Sequence, residues 1–414
     1  MNPAAQRAKY KNMRQVLELL IRQGETARIS IANTLQLSTA TVTNLVSELI
    51  KMGLVVESRL ENTVIGRKAT LLKFNEQAGK IFCIEICLND TLVISLCDLN
   101  GNVYQQTKTL LPMTVTDERP IATIRYEIIS VITEFWNGLP QEELADVAAA
   151  AVSVCGLVDN RSIVSVPFYG WKDLDLGRPL QNALHIPVFI DNVTRMRAVY
   201  ELRYIDLDEK NVVFLNLTSG IGMVNFFDGK IVRGRTGISG EAGHMSLDAN
   251  GPVCYCGNRG CFELYCGYVS ILKQAQQLVA ESGPDDPLYQ LTVLENQPVT
   301  FDVLAEAYEL GSIRVQGLFA QVSRYLGVGI ANLFNIYDPD RIIISGYHAH
   351  CDDYILRAAE AEARSRIVNK FERTIHLTVS KLSESQLCRA MTAYVLSCTL
   401  NQIIEEGSVL KIHP

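Results

Sequence analysis

One histidine and three cysteines lie close together near the middle of the chain. They are His244, Cys254, Cys256 and Cys261, in the segment HMSLDANGPVCYCGNRGC. A structural zinc ion is bound tetrahedrally by four such nitrogen and sulfur ligands, and thiolates favour zinc over magnesium or calcium. The sequence therefore predicts one structural zinc ion per chain. The alternative is that three cysteines of a reduced protein merely share a turn.

A second group of chemically useful side chains lies on a predicted helix near the N terminus. The helix begins at Thr39, carries an apolar stripe at helical spacing, and ends before Gly53. Its other face carries short hydroxyl and amide side chains, which can bond to phosphate oxygens or base edges in the DNA major groove. The predicted DNA-contacting residues, with Ser38 as the N-cap, are Ser38, Thr39, Thr41, Thr43, Asn44 and Ser47.

The neighbouring segments indicate how this helix is positioned. A longer helix precedes it, and a short helix with Ser30 as its expected N-cap joins it through a tight turn, as in a helix-turn-helix. Two strand-like segments follow and flank the turn VIGRK, where Arg67 and Lys68 are expected to contact phosphates or the minor groove. Residues 1–78 are therefore predicted to form a winged helix-turn-helix DNA-binding domain. Plain packing of three helices is the alternative.

The charge distribution agrees with this division. Residues 1–75 contain 11 Lys and Arg against 5 Asp and Glu, whereas the whole chain has a net charge of −7. A basic domain on an acidic body is typical of a DNA-facing domain on a larger carrier. No apolar run of about 18 residues is present, and the first residues do not resemble a signal peptide. We therefore expect a cytoplasmic protein with no membrane association.

The rest of the chain is predicted to be an α/β body. Strands alternate with helices, and polar or glycine-rich turns follow several strands. Cys83, Cys87 and Cys97 lie in apolar strands, where cysteine acts as a small hydrophobe, and the odd total of 11 cysteines argues against a disulfide framework. The C-terminal stretch 390–404 is either a core helix or a helix that packs on the N-terminal domain or a partner. The predicted strands are 81–87, 92–97, 103–110, 147–154, 188–190 and 212–217.

The motif GEAGHM running into CYCGNRGCFE, together with the GRK turn, resembles the ROK family, and within it the NagC/XylR-type repressors. The resemblance covers essentially the whole chain. It implies a two-lobed ribonuclease-H-like (actin/hexokinase-like) body, with lobe 1 at 79–200 and lobe 2 at 201–414 including the zinc loop and the C-terminal helix. It also implies a sugar cleft lined by Gly156, Asn192, Glu241, His244 and Glu263.

Two departures from the family's kinases predict that catalysis is lost. Family kinases carry an Asn-Asp pair, in which the Asp accepts a sugar hydroxyl proton, whereas this chain has Asn192 followed by Val193. Loss of such a base costs roughly 10²–10⁴-fold in rate. The first phosphate loop of the kinases is glycine-rich, whereas this chain reads IEICLN with no glycine. We therefore expect no enzymatic activity.

The favoured hypothesis is a repressor that binds a double-stranded DNA operator and senses a sugar or sugar phosphate. A symmetric homodimer or tetramer would match a palindromic operator. Two alternatives remain open. One is an active sugar kinase with an appended DNA-binding domain, and the other is an inactive kinase-like body that senses a protein of a sugar-transport system.

Overall fold

The first three helices follow the apolar spacing of the N-terminal sequence. A computed structural model describes residues 3–62, 68–87, 91–111, 119–159, 162–205, 209–346 and 352–412. Its first helices are α1 (Pro3–Gln23), α2 (Arg28–Leu35) and α3 (Thr39–Lys51). Their inward faces form one small core, with almost no exposure at Met13, Val16, Leu17, Ile31, Val42, Val46 and Leu49.

A small antiparallel sheet packs beside these helices. Its strands are β1 (Thr26–Ala27), β2 (Val55–Asn62) and β3 (Lys68–Phe74), in the order β1-β3-β2. The prediction of Ser30 as an N-cap is wrong, because β1 leads directly into α2 and Ala27 precedes the helix without a side-chain cap. Arg67, at the tip of the predicted wing, lies outside the described residues. Lys68 begins β3, and its side chain is likewise outside them.

A five-stranded sheet follows, as the apolar strand pattern predicts. Its order is β11-β7-β4-β5-β6, with β4, β5 and β6 antiparallel and with β7 and β11 parallel to β4. Every residue of β7 is buried, because both faces of this strand are covered. The strands are β4 (Lys80–Cys87), β5 (Thr91–Asp98), β6 (Val103–Leu110), β7 (Val147–Val154) and β11 (Val188–Asn192).

Shorter elements complete this part of the chain. The three strands β8, β9 and β10 form a separate antiparallel sheet. The elements are α4 (Ile121–Asn137), α5 (Gln141–Leu144), β8 (Leu157–Val158), β9 (Ile163–Val166), β10 (Trp171–Leu174), α6 (Gly177–Leu184) and α7 (Val193–Glu201), with 3₁₀ turns at Pro167–Tyr169 and Leu202–Tyr204.

A second five-stranded sheet repeats the topology of the first. Its order is β14-β13-β12-β15-β16, with an antiparallel β12-β13-β14 meander and with β15 and β16 parallel to β12. The elements are β12 (Val212–Leu217), β13 (Ile221–Phe227), β14 (Lys230–Ile231), α8 (Phe262–Cys266), α9 (Tyr268–Glu281), α10 (Pro287–Tyr289), α11 (Phe301–Glu309), α12 (Ile313–Tyr337), β15 (Arg341–Gly346), α13 (Arg357–Arg366) and β16 (Leu377–Val379).

The last helix, α14 (Leu387–Glu406), returns to the first part of the chain. It packs against α7, β4, β5 and β7, and its other end contacts α1. The chain accordingly divides into a first unit, Met1–Ile205 with Ser385–Pro414, and a second unit, Asp206–Glu384. The observed second unit therefore differs from the predicted lobe 201–414, which included the C-terminal helix.

Within the described residues, no helix is both long and apolar enough to cross a bilayer.

Candidate functional site

The four predicted metal ligands lie together on one loop of the second unit. The ligand atoms of His244, Cys254, Cys256 and Cys261 all lie within 4.8 Å of one another. His244 Nδ1 is 3.8 Å from Cys254 Sγ, and Cys256 Sγ is 3.7 Å from Cys261 Sγ. A tetrahedral ion with metal–sulfur bonds of about 2.3 Å holds its sulfurs roughly 3.8 Å apart. The donor set and its spacing therefore fit one metal ion.

Backbone bonds hold this loop in a tight fold. Cys254 donates its N–H to Asn258 O over 2.8 Å, and Leu247 donates to Gly260 O over 2.8 Å. Gly260 has a φ of +60°, and a Cβ at this position would lie 1.8 Å from Asp248 O. Glycine is therefore required here both by the backbone conformation and by the close approach of the chain.

The predicted sugar-contacting Glu263 lies in the first turn of α8, two residues after the last cysteine of the loop. Its Oε2 accepts the backbone N–H of Ile221 over 3.1 Å. A Cβ at Gly220 would lie 2.3 Å from the same oxygen, so glycine leaves the space that the carboxylate occupies. The turn after β12 thus fixes one carboxylate oxygen of Glu263.

Tyr255, which lies between two of the cysteines, joins the metal cluster to the acidic residues. Its hydroxyl is 3.3 Å from His244 Nε2, and the two rings meet edge to face with centroids 5.3 Å apart. The pKa of Tyr255 is raised. The largest cause is the partial removal of its hydroxyl from water, the negative charge of Glu263 is the next, and the charge of Glu241 adds to the effect. Tyr255, a residue that the sequence reasoning missed, thus contacts His244 and is acted on by the charges of Glu263 and Glu241.

Gly156 and Asn192, the other two predicted sugar-contacting residues, meet in the first unit. Asn192 Nδ2 donates to Gly156 O over 2.7 Å, and Asn192 Oδ1 accepts the N–H of Thr194 over 2.8 Å. Asn192 is therefore the N-cap of α7. A Cβ at Gly156 would lie 2.5 Å from Ser165 O, so this glycine is also required by its packing against β9.

Val193, which the resemblance predicts at the position of the kinase base, is the first residue of α7. The preceding Asp191 is 1% exposed and forms a buried ion pair with Arg195. Asp191 Oδ1 also accepts the N–H of Asn192 over 2.7 Å, and Arg195 Nη2 donates to Val158 O over 2.7 Å. The Asp191 carboxylate thus has a structural role that fixes the end of β11. Of the predicted glycine-free phosphate loop, Leu88 and Asn89 lie outside the described residues.

The predicted DNA-contacting residues of the third helix share its outer face. Ser38 caps α3, because its Oγ accepts the N–H of Thr41 over 3.1 Å. Thr43 and Ser47 donate their hydroxyls to backbone carbonyls one turn earlier, each over 2.8 Å. Asn44 is exposed and makes no hydrogen bond within the described part of the chain. Thr39, Thr43, Asn44 and Ser47 are all exposed, and Thr41 is half-buried.

Comparison with known proteins shows which family the chain belongs to. The ROK family profile matches residues 82–397. The chain belongs to the ROK family. This ROK protein is 26% identical to the xylose repressor of Bacillus subtilis (strain 168) over 401 residues, which are 95% of this chain and 97% of that protein.

Two solved ROK structures resemble this chain to different extents. A ROK family transcriptional regulator, described as a homologue of the E. coli MLC protein, has a TM-score of 0.74 at 25% identity and covers 97% of this chain and 99% of its own. A ROK glucokinase from Streptomyces griseus, in complex with glucose and AMPPNP, has a TM-score of 0.62 at 21% identity and covers 76% and 98%. The glucokinase likeness shows the ROK fold alone. The regulator also has counterparts for most of the N-terminal helices.

Proposed function

We propose that this protein is a transcriptional repressor of carbohydrate genes, with a winged helix-turn-helix at residues 1–78 and a ROK body that binds a sugar or sugar phosphate. The observation that carries the proposal is the near full-length likeness to a xylose repressor and to a ROK transcriptional regulator. The exposed polar face of α3 supports it independently.

The DNA-binding step uses α3 as the recognition helix in the major groove. Its small outer side chains allow a close approach of the helix backbone to the duplex. Asn44 is suited to bond to N6 and N7 of an adenine, whereas α3 exposes no arginine toward guanine. Arg67 and Lys68 would contact phosphates or the minor groove from the wing. A homodimer or tetramer would present two such helices to a palindromic operator.

In the proposed sugar-binding step, carboxylates accept hydrogen bonds from sugar hydroxyls and do not remove a proton. The backbone N–H of Ile221 fixes one oxygen of Glu263, the Tyr255 hydroxyl lies beside the same carboxylate, and a sugar hydroxyl would be a further donor to it. Gly156, Asn192, Glu241 and His244 are the other proposed contacts. A zinc ion on His244 and the three cysteines would have only a structural role, because all four of its tetrahedral positions would be filled.

The ROK body acts as a sensor rather than as a kinase. Val193 cannot accept a proton. The Asp191 carboxylate is held in its buried ion pair with Arg195, so it does not serve as the base that takes a proton from a sugar hydroxyl. The relative that aligns with 95% of this chain is named a repressor, whereas the similarity to the glucokinase shows only a shared fold. An active kinase is therefore the alternative that the test must exclude.

Contacts within the first unit connect Asn192, where a sugar would bind, with the N-terminal helix α1. Asn192 caps α7, and α7 packs along α14. The far end of α14 contacts α1, where Arg14 Nη1 donates to Asn401 Oδ1 over 3.1 Å. The 3₁₀ turn after α7, Leu202–Tyr204, also contacts α1. A sugar that favours one position of α7 would therefore shift the population of α1 positions.

The test is a selection of DNA sequences by the full-length, zinc-replete protein from a random duplex pool. We expect one palindromic sequence to be enriched, and one sugar or sugar phosphate of a panel to change its affinity in fluorescence anisotropy. The same sugars are offered with ATP in a coupled phosphorylation assay. Absence of any enriched sequence, or clear ATP turnover, would contradict the proposal.

A further inference from the structure

A second cysteine cluster lies in the first unit, far from the His244 loop in the sequence. It comprises Cys83 on β4, Cys97 on β5 and Cys388, the second residue of α14. Their three sulfur atoms all lie within 4.8 Å of one another. Cys83 and Cys97 are at most 1% exposed, and Cys388 is half-buried. Three separate parts of the chain thus bring three free thiols to one point.

The register of the sheet places two of these thiols on the same face. Cys83 pairs with Ser95, and Cys97 pairs with Ile81, so both cysteines point toward the side of the sheet on which α14 packs. The opposite face carries the large side chains of the main core, such as Phe82. The cluster therefore lies between β4, β5 and the N-terminal end of α14.

The turn after β5 brings the first turn of α14 unusually close. Gly101 has a φ of +82°, and a Cβ there would lie 2.5 Å from both N and Cα of Arg389. A side chain at this position would push the helix away and carry Cys388 off the sheet. The N-terminal end of a helix also favours the negative charge of a thiolate.

The donor atoms of this cluster are all soft. In the part of the chain that the structure describes, no histidine or carboxylate joins the three sulfurs. The nearby Asp98 uses its oxygens elsewhere: Oδ1 accepts the N–H groups of Asn100 and Asn102, and Oδ2 accepts the side-chain amides of Asn102 and Gln77. Three sulfurs are one protein ligand short of a closed structural zinc site, and soft thiolates also select monovalent copper. A trigonal ion with bonds of about 2.3 Å needs sulfurs roughly 4.0 Å apart, which fits within the observed limit.

We propose that Cys83, Cys97 and Cys388 form a binding site for one soft monovalent metal ion of the Cu(I) class. Binding releases the thiol protons to solvent and involves no change of oxidation state. The ion would tie the first turn of α14 to the sheet, in the same unit where the other end of α14 contacts α1.

A disulfide is the competing use of these thiols. Cys83 and Cys97 are diagonal neighbours on adjacent strands, with Cα atoms about 7–8 Å apart in regular sheets, which is too far for an unstrained bond. The disulfides that remain possible are those from Cys388 to Cys83 or from Cys388 to Cys97. Either bond would leave the third buried thiol unused, so the geometry favours a shared metal.

The experiment is an anaerobic titration of the full-length, zinc-replete protein with Cu(I) against the chromogenic chelator bathocuproine disulfonate, with a zinc indicator present. The test variant is Cys388→Ser, which changes the half-buried thiol. The matched control is Cys398→Ser, an exposed cysteine on the same helix. Circular dichroism confirms that both variants fold.

We expect the wild type to bind one more copper per chain than Cys388→Ser, with no release of zinc, and Cys398→Ser to match the wild type. Loss of one direct ligand should weaken this copper by more than about 100-fold, since loss of an outer-shell contact alone costs 10–100-fold. X-ray absorption of the loaded wild type should show three sulfurs at about 2.3 Å.

Three results would overturn the proposal. One is equal copper uptake by the wild type and Cys388→Ser, and another is uptake matched by zinc release, which would assign the copper to the His244 loop. The third is a Cys388-linked disulfide in place of bound copper, detected by mass spectrometry. The X-ray absorption measurement does not depend on any variant, so the proposal stays testable if Cys388→Ser does not fold.

Discussion

Asn192→Ala tests the structural role of Asn192 as the N-cap of α7. The substitution removes the N-cap of α7, at a cost of about 1 kcal/mol, and leaves Gly156 O without its donor, at about 1 kcal/mol more. Local opening of α7 should therefore become easier by about 2 kcal/mol, so its amides should exchange about 30-fold faster. Hydrogen exchange followed by mass spectrometry on peptides covering Val193–Glu201 measures this directly.

The matched control is Asn192→Asp, because aspartate is as good an N-cap as asparagine. This variant keeps the bond from Thr194 N–H, but it replaces the donor to Gly156 O with a carboxylate oxygen, so exchange should rise by at least about fivefold and stay below that of Asn192→Ala. If Asn192→Ala exchanges at the wild-type rate, or if Asn192→Asp exchanges as fast as Asn192→Ala, the capping argument is wrong. Peptides from α12 in the second unit should be unaffected by either change.

Three further predictions test the other sites. Val193→Asp should give no ATP-dependent sugar phosphorylation in a coupled assay, because one restored carboxylate does not restore a glycine-rich phosphate loop; turnover would refute this. Cys261→Ser should lower zinc from one ion per chain to none by elemental analysis and lower the unfolding temperature, whereas zinc retained at full occupancy would exclude the proposed ligand set. Asn44→Ala should weaken operator binding by about 1–3 kcal/mol, whereas Asn33→Ala, an exposed change on α2, should not; equal affinities would remove Asn44 from base recognition.

Local patterns in the sequence predicted most of the secondary structure. The period-two and continuous apolar runs indicated strands such as β7 and β12, and the structure confirms both at the predicted residues. Ser38 was correctly predicted as a cap, because a hydroxyl residue directly precedes the apolar periodicity of α3. The Ser30 prediction failed because the pairing of β1 with β3, which the sequence does not reveal, starts α2 earlier.

Contacts between distant parts of the chain could not be predicted in this way. Cys83 and Cys97 were interpreted as small hydrophobes because nothing local connects them with Cys388. The buried ion pair of Asp191 with Arg195 depends on the geometry at the start of α7, which no local pattern reveals. The spacing of the His244 loop was informative because all four ligands lie within one short segment. Tyr255 could have been suspected from its place between two of those cysteines.

The return of α14 to the first unit has a consequence for protein synthesis. One face of β4, β5 and β7 stays without its covering helix until the ribosome has made the whole second unit, Asp206–Glu384. At about 5–20 residues per second, these roughly 180 residues take on the order of ten to forty seconds. During that interval the nascent chain exposes the sheet face that α14 covers in the finished protein. The contact between α14 and α1 also forms only after the second unit has been translated, so a prematurely terminated chain lacks the coupling that we propose.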